Sequence, residues 1–161
     1  MSAPALDARL VAYTDPLVLP LLAELDREYS TRYGHTLGDL RQEALRGAAE
    51  FGPPDGGLLL LLEGGEPVAG GAFRRFDGRT AELKRIWTHS AHRRRGLARR
   101  VLAELEREIA ARGYQRIHLT TGPRQPEAKG LYLATGYTPL YDPDLPPERI
   151  GPHPFEKVIR P

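Results

Sequence analysis

The hydrophobic pattern of this chain changes period near residue 90, and that change limits the folds open to it. Before it, apolar runs are short and separated by turn signals. Leu58 to Glu63 reads as a buried strand, Glu63-Gly64-Gly65-Glu66 as a hairpin turn and Pro67 to Phe76 as the returning strand. Asp77-Gly78 is a second hairpin signal, and Thr80 to Thr88 is the next strand. After it, Ala98, Val101, Leu102, Leu105 and Ile109 recur at spacings of three and four, which makes one apolar helix stripe. Gly113 sits where a C-terminal cap belongs, and Arg116 to Thr121 reads as a strand. A strand–helix–strand crossover implies parallel partners. The expected fold is therefore α/β, a mixed α+β sheet in which an antiparallel meander joins a βαβ unit, with about six or seven strands and four helices.

The flanking segments complete this plan. Leu10 to Tyr13 reads as a short first strand. Asp15-Pro16 carries the N-cap and N1 signals of a helix running to about Tyr33, with Leu17, Leu21, Leu22, Leu25 and Tyr29 at helical spacing. A second helix is expected over Asp39 to Glu50, another over Pro126 to Thr135, and strands over Gly136 to Tyr141 and Phe155 to Ile159. No repeat or long linker interrupts the 161 residues, so a single domain over 1–161 is expected.

Composition excludes several chemistries. The chain has no cysteine, so disulfides, thiol catalysis and cysteine-ligated metals are ruled out. No His/Asp/Glu spacing resembles a metal site. A formal net charge of +2 does not by itself argue for nucleic acid, and no aromatic platform is interleaved with the arginines. The longest apolar run, Leu58 to Leu62, is too short to cross a bilayer, and Met1 to Arg9 lacks signal-peptide character. A cytoplasmic protein is the expectation, and the richness in Ala, Arg, Gly and Pro points to a GC-rich bacterial genome.

The most informative stretch is Arg93-Arg94-Arg95-Gly96-Leu97-Ala98, between a strand and the amphipathic helix. A helix start leaves backbone N–H groups unpaired, with partial positive charge along the axis. Gly96 and Ala98 keep side chains out of the way, and the arginines reinforce a site fit for phosphate or pyrophosphate. The alternative is a solvated basic run before a helix.

Arg93-x-x-Gly96-x-Ala98 resembles the coenzyme A signature of the GNAT acetyltransferases. Gln125-Pro126-Glu127-Ala128-Lys129-Gly130-Leu131-Tyr132, with Gly136-Tyr137 after it, resembles that family's second signature. The two motifs stand in the family's order and separation, and the resemblance covers about Leu58 to Tyr141. Two positions depart from the pattern: Arg94 stands where many members have Gly, and Gln125 where Asn is usual. The resemblance implies an acyl-coenzyme A N-acyltransferase fold with acetyl-coenzyme A held by Arg93, Arg94, Arg95, Gly96, Leu97, Ala98, Arg99 and Gln125. It also implies that the backbone of Ile86, Trp87 and Thr88 pairs with the pantetheine arm. Strict alternation would put Glu82, Lys84, Ile86 and Thr88 on one face, a conflict that a bulge near Lys84-Arg85 resolves.

Acetyl transfer needs an amine freed of its proton and a stabilised thiolate and oxyanion. Glu82 is the base candidate, directly or through water; its alternative role is a salt bridge with Lys84 or Arg74. His89 and His92 are alternative bases. Tyr132 is the acid candidate, where the family places a hydroxyl near the sulfur, and a packing pair with Leu131 is the other reading. The amide of Thr88 or a neighbour would polarise the thioester carbonyl. Tyr29, Arg32, Tyr33, Arg74 and Arg75 are candidates to face a small-molecule amine, and the arginines suit one that carries a carboxylate, such as an amino acid. Competing readings are a non-catalytic acyl-coenzyme A sensor or partner module, a protein N-acetyltransferase, a nucleotide enzyme (for which the phosphate-loop motifs are missing) and an RNA-binding module. The resemblance also implies a homodimer, with the proline-rich loop from Asp142 as one contact.

Overall fold

A computed structural model describes residues 5–33, 46–121, 126–142, 144–146, 149 and 152–159, and only the backbone of 28–33 and 126–127. Strand β1 (Leu6–Val11) leads to a 3-10 turn at Pro16–Val18 and helix α1 (Leu19–Tyr33). Residues 46–50 are helical and form the described part of α2. Then come β2 (Gly57–Glu63), β3 (Glu66–Arg75), β4 (Thr80–Thr88), a 3-10 turn at Ser90–His92, α3 (Leu97–Ala111) and β5 (Arg116–Thr121). Helix α4 (Pro126–Ala134) and strands β6 (Thr138–Pro139) and β7 (His153–Val158) close the chain.

The strands form one sheet in the order β1-β2-β3-β4-β5-β7-β6. Among the described strands only β4 and β5 run parallel, as the crossover through α3 requires; the other neighbours are antiparallel. Each face of the sheet has its own core. On one face α3 buries Leu97, Val101, Leu102, Leu105 and Ile109, and Tyr132 of α4 joins them over Phe73, Ile117 and Phe155. Burying each large aliphatic chain contributes roughly 1.5–3 kcal/mol, which fixes α3 more firmly than its propensity would. On the other face Leu21 and Leu22 of α1 pack with Tyr13, Phe51 and Trp87. The Asp15 carboxylate accepts the Leu17 amide at 2.9 Å, the cap expected from Asp15-Pro16.

Three expectations shift. The first strand is Leu6–Val11 rather than Leu10 to Tyr13, because pairing with β2 sets its extent, from Leu6 opposite Glu63 to Val11 opposite Leu58. Tyr13 instead leaves the strand and stacks on Phe51 at 5.3 Å. The strand expected over Gly136 to Tyr141 shortens to Thr138–Pro139. Gly136 adopts φ +93°, and the amides of Gly136 and Tyr137 return to the carbonyls of Leu133 and Tyr132, so these residues end α4. The last strand starts at His153 rather than Phe155 and inserts between β5 and β6. The expected helix over 39–45 lies outside the described residues.

Candidate functional site

Two irregularities of β4 create the site. The first is a bulge. Gly70 pairs with Trp87 and Ala72 with Lys84, so Arg85 and Ile86 together stand opposite Gly71 alone. Arg85 absorbs the extra residue at φ +59°, a left-handed conformation that non-glycine side chains rarely adopt. The bulge resets the alternation as the sequence demanded. Ile86 packs on the α3 side, where its Cδ1 lies 2.6 Å from the point a Cβ on Gly71 would occupy. Arg85 turns to the α1 side, where its Nε donates to the Tyr13 hydroxyl at 3.2 Å, and Trp87 joins the same core.

The second irregularity is a fork. The parallel ladder between β4 and β5 is confined to Thr80–Arg116, Ala81–Ile117 and Glu82–His118. Beyond that point the strands part, although β4 continues to Thr88 and β5 to Thr121. Glu82 sits at the crotch, 8% exposed. Its Oε1 accepts from Arg74 Nε at 2.8 Å, so the salt bridge foreseen as its alternative role is present. Its Oε2 lies 3.8 Å from His118 Nδ1. Arg74 also donates to Glu50 at 2.6 Å and thus ties β3, β4 and α2 together. His118 stacks on Phe76 at 4.4 Å, and its Nδ1 is buried without a hydrogen-bond partner among the described residues, as is Thr121 Oγ1. No sequence motif marks His118. Its approach to Glu82 depends on the register between two strands far apart in the chain, which no local pattern encodes.

The loop that follows β4 is anchored by a second residue that no sequence motif marks. Glu24 of α1 accepts from Trp87 Nε1 at 2.9 Å, from the Ser90 amide at 3.0 Å and from the Ser90 hydroxyl at 2.5 Å. Burial alone would push its carboxyl up, but these hydrogen bonds outweigh it and hold the group below the usual carboxylate range. His89 Nδ1 accepts the Ala91 amide at 3.0 Å and caps the 3-10 turn, and His92 Nδ1 lies 2.8 Å from Arg95 Nη1. Both histidines therefore serve the loop rather than the fork.

At the start of α3, Gly96 occupies the N-cap at φ +74°, and no side chain caps the helix. A Cβ there would meet nothing within 4 Å, so Gly96 leaves open space beside a helix start whose first amides have no intrahelical partner. Arg94 has φ +64°, the left-handed region that favours glycine, the residue the resemblance leads one to expect at that step. Arg94 and Arg99 are exposed, as is Arg93, while Leu97 is buried as the first residue of the apolar stripe and Ala98 is half-buried. Arg95 turns back to Glu63 at the end of β2, with Nη1 at 3.2 Å, and so braces the loop. Thr88 pairs with Ala69, the last rung of β4 with β3. Gln125 and the side chains of Tyr29, Arg32 and Tyr33 lie outside the described residues.

Tyr132 is 5% exposed and packs against Tyr137 and Phe155, with ring centroids at 5.5 and 5.7 Å. Burial pushes its phenol well above the ordinary range, so it keeps its proton at neutral pH. Glu82 interacts on the α1 face and Tyr132 belongs to the α3 face; the gap between β4 and β5 separates them.

The model of the acetyltransferase (GNAT) family matches residues 19–137. The uncharacterized N-acetyltransferase YsnE of Bacillus subtilis (strain 168) is 36% identical over 105 residues, 64% of this chain and 64% of that protein, so the chain matches just under two thirds of that relative's length. A Klebsiella pneumoniae protein assigned to the acyl-CoA N-acyltransferases shares 26% identity at a TM-score of 0.72, over 95% of this chain and 97% of its own. Two more distant structures share the fold. An acetyltransferase from Thermus thermophilus has a TM-score of 0.76 at 21% identity, over 99% of this chain and 100% of its own. The PaiA N-acetyltransferase of Thermoplasma acidophilum, solved in complex with coenzyme A, has a TM-score of 0.72 at 14% identity, over 96% of this chain and 99% of its own.

Proposed function

This chain belongs to the acetyltransferase (GNAT) family, and we propose that it works as one domain that moves acetyl from acetyl-coenzyme A to a primary amine of a small molecule, directly, in a ternary complex. The observation that carries this reading is the fork of β4 and β5 opening beside an uncapped helix start.

The residues fit the cofactor. The open space before Gly96 leaves room for a pyrophosphate against the first amides of α3, with Arg93 and Arg94 on the rim. The β5-facing edge of Ile86, Trp87 and Thr88 lies past the last rung of the parallel ladder and suits an arm rich in amides. On β5, past the same rung, the buried Thr121 Oγ1 has no hydrogen-bond partner among the described residues.

Acetyl-coenzyme A supplies the activated acyl group when bound. The chain's own residues then divide the work. Glu82, oriented by Arg74, accepts the proton of the attacking ammonium, directly or through a water. The Thr88 amide, at the end of β4, donates to the oxyanion. Tyr132 offers its hydroxyl proton to the departing thiolate. Its raised pKa makes it a hydrogen-bond donor to developing charge more than a strong acid. Direct transfer needs no covalent intermediate on the protein; the chain has no cysteine, and its serines stand in no nucleophile motif.

Thiol release measured with acetyl-coenzyme A and a panel of amines tests the reading. Tyr132→Phe keeps the ring that packs on Tyr137 and Phe155 and removes only the hydroxyl. The expected result is a fall in kcat of about 10²-fold with little change in the KM for acetyl-coenzyme A. An unchanged kcat would remove Tyr132 from the chemistry, and no thiol release with any amine would contradict the enzymatic reading.

A further inference from the structure

On the α1 face of the sheet, next to the fork, lies a cavity of about 300 Å³ lined by Arg46, Arg74, Lys84 and Arg85 with Glu50 and Phe51. Among the described residues four cations line it, from α2, β3 and β4, beside the Glu50 carboxylate; Arg46 and Arg85 have partners of their own, Arg85 in the Tyr13 hydroxyl. That carboxylate, Glu50, is held by Arg74, whose second ion pair is with Glu82. The Lys84 side chain makes no hydrogen bond or ion pair among the described residues. The guanidinium groups of Arg74 and Arg85 sit over the same Phe51 ring, at 5.9 and 5.8 Å from its centroid. Like charges gathered around a partly enclosed space repel one another, so the arrangement favours an anion inside it.

The bulge is what brings two of these cations together. In a regular strand Lys84 and Arg85 would point to opposite faces. The left-handed Arg85 puts both toward the cavity, a strained conformation that persists only where the surroundings enforce it. Conformations of this kind gather at ligand sites.

We propose that this cavity is the acceptor's anion subsite: Lys84 and Arg85, with Arg46, hold a carboxylate or phosphate carried by the amine that is acetylated. The inference rests on the reading of the fork as the reaction centre. It assigns Arg74 a different role from direct acceptor binding, since Arg74 is the brace that joins the subsite to Glu82 at 2.8 Å. An acceptor anchored here presents its amine toward Glu82. At about 300 Å³ the cavity has room for a small molecule.

The test is a kinetic panel on the full chain with acetyl-coenzyme A: L-amino acids, the carboxamide of each, O-phosphoethanolamine and spermidine. For the best amino acid, kcat/KM should exceed that of its carboxamide by about tenfold or more, the value of a charge-assisted hydrogen bond. Lys84→Met, and independently Arg85→Gln, should shrink that ratio toward one. A preference for O-phosphoethanolamine over every amino acid would support the subsite and assign its anion as phosphate. Carboxamides or spermidine used as well as the acids by the wild-type protein would overturn the proposal without any variant. A ratio unchanged in both variants would overturn it too. Binding of acetyl-coenzyme A, followed separately by calorimetry, keeps the outcomes apart: its absence sinks the acetyl-transfer reading itself, whereas binding with turnover of only neutral or cationic amines sinks the anion subsite alone.

Discussion

Glu24 carries more of the site's geometry than its place on α1 suggests. One buried carboxylate accepts three donors from the end of β4 and the turn after it, so the entry to the Arg93–Gly96 loop is fastened to the opposite core. Glu24→Ala would leave a buried indole N–H, an amide and a hydroxyl without their acceptor, and the expected cost is about 2–3 kcal/mol in unfolding free energy. The pH dependence has a definite sign. The folded carboxyl is held below its unfolded value of about 4.3, so its stabilisation is complete above that pH and is lost as pH falls through the lower folded value. Melting curves from pH 7 to pH 2 should therefore fall more steeply for the wild type than for Glu24→Gln below about pH 4. Parallel curves would show that the charge is not what the loop relies on. Nothing in the sequence marked this residue, because Glu24 and Ser90 meet only once α1 is laid across β4. The loop it holds was legible, since Gly96 and Ala98 follow from local chemistry at a helix start.

Among the elements, β4 is where the fold and the site depend on each other. Its pattern of mixed charged and apolar residues already asked for a bulge, and the bulge stands at Arg85-Ile86, one step beyond Lys84. Gly71 is the counterpart on β3. A Cβ there would come within 2.6 Å of Ile86 Cδ1 and 2.9 Å of Leu105 Cδ1. Gly71→Ala is accordingly expected to destabilise the protein by about 1–3 kcal/mol through overpacking, and to weaken acetyl-coenzyme A binding because α3 must move off β4. Thermal melts and calorimetry on the same sample check both effects. A variant as stable as the wild type with undiminished binding would mean that α3 yields without disturbing its own N-terminus. By contrast, β6 misled sequence reasoning. Thr138 to Tyr141 has strand-like composition, but the backbone at Gly136 and Tyr137 is spent on ending α4, and Pro139 has no N–H to give to a ladder.

Across the molecule, what was readable was the order of events along the chain: a meander, a basic turn, an amphipathic crossover helix and a parallel return. That order dictates parallel neighbours in β4 and β5, whereas their parting beyond Glu82 is a matter of register that the order does not encode. What was not readable was everything that depends on register between distant strands or on helices laid over the sheet. The Glu82–His118 approach, the Arg74 bridge and the convergence of Arg46 with Lys84 and Arg85 all belong to that class. The central claim is that the opening at the start of α3 and the fork beside it bind acetyl-coenzyme A. Calorimetric titration of acetyl-coenzyme A into the wild type and into Gly96→Asp tests it most directly. Aspartate tolerates the left-handed conformation better than most residues, so the variant should fold, while its carboxylate stands where a phosphate would sit. The account predicts saturable one-to-one binding by the wild type, weakened by about tenfold or more in a variant that still melts cooperatively. No saturable binding by the wild type, or equal binding by both, would contradict it.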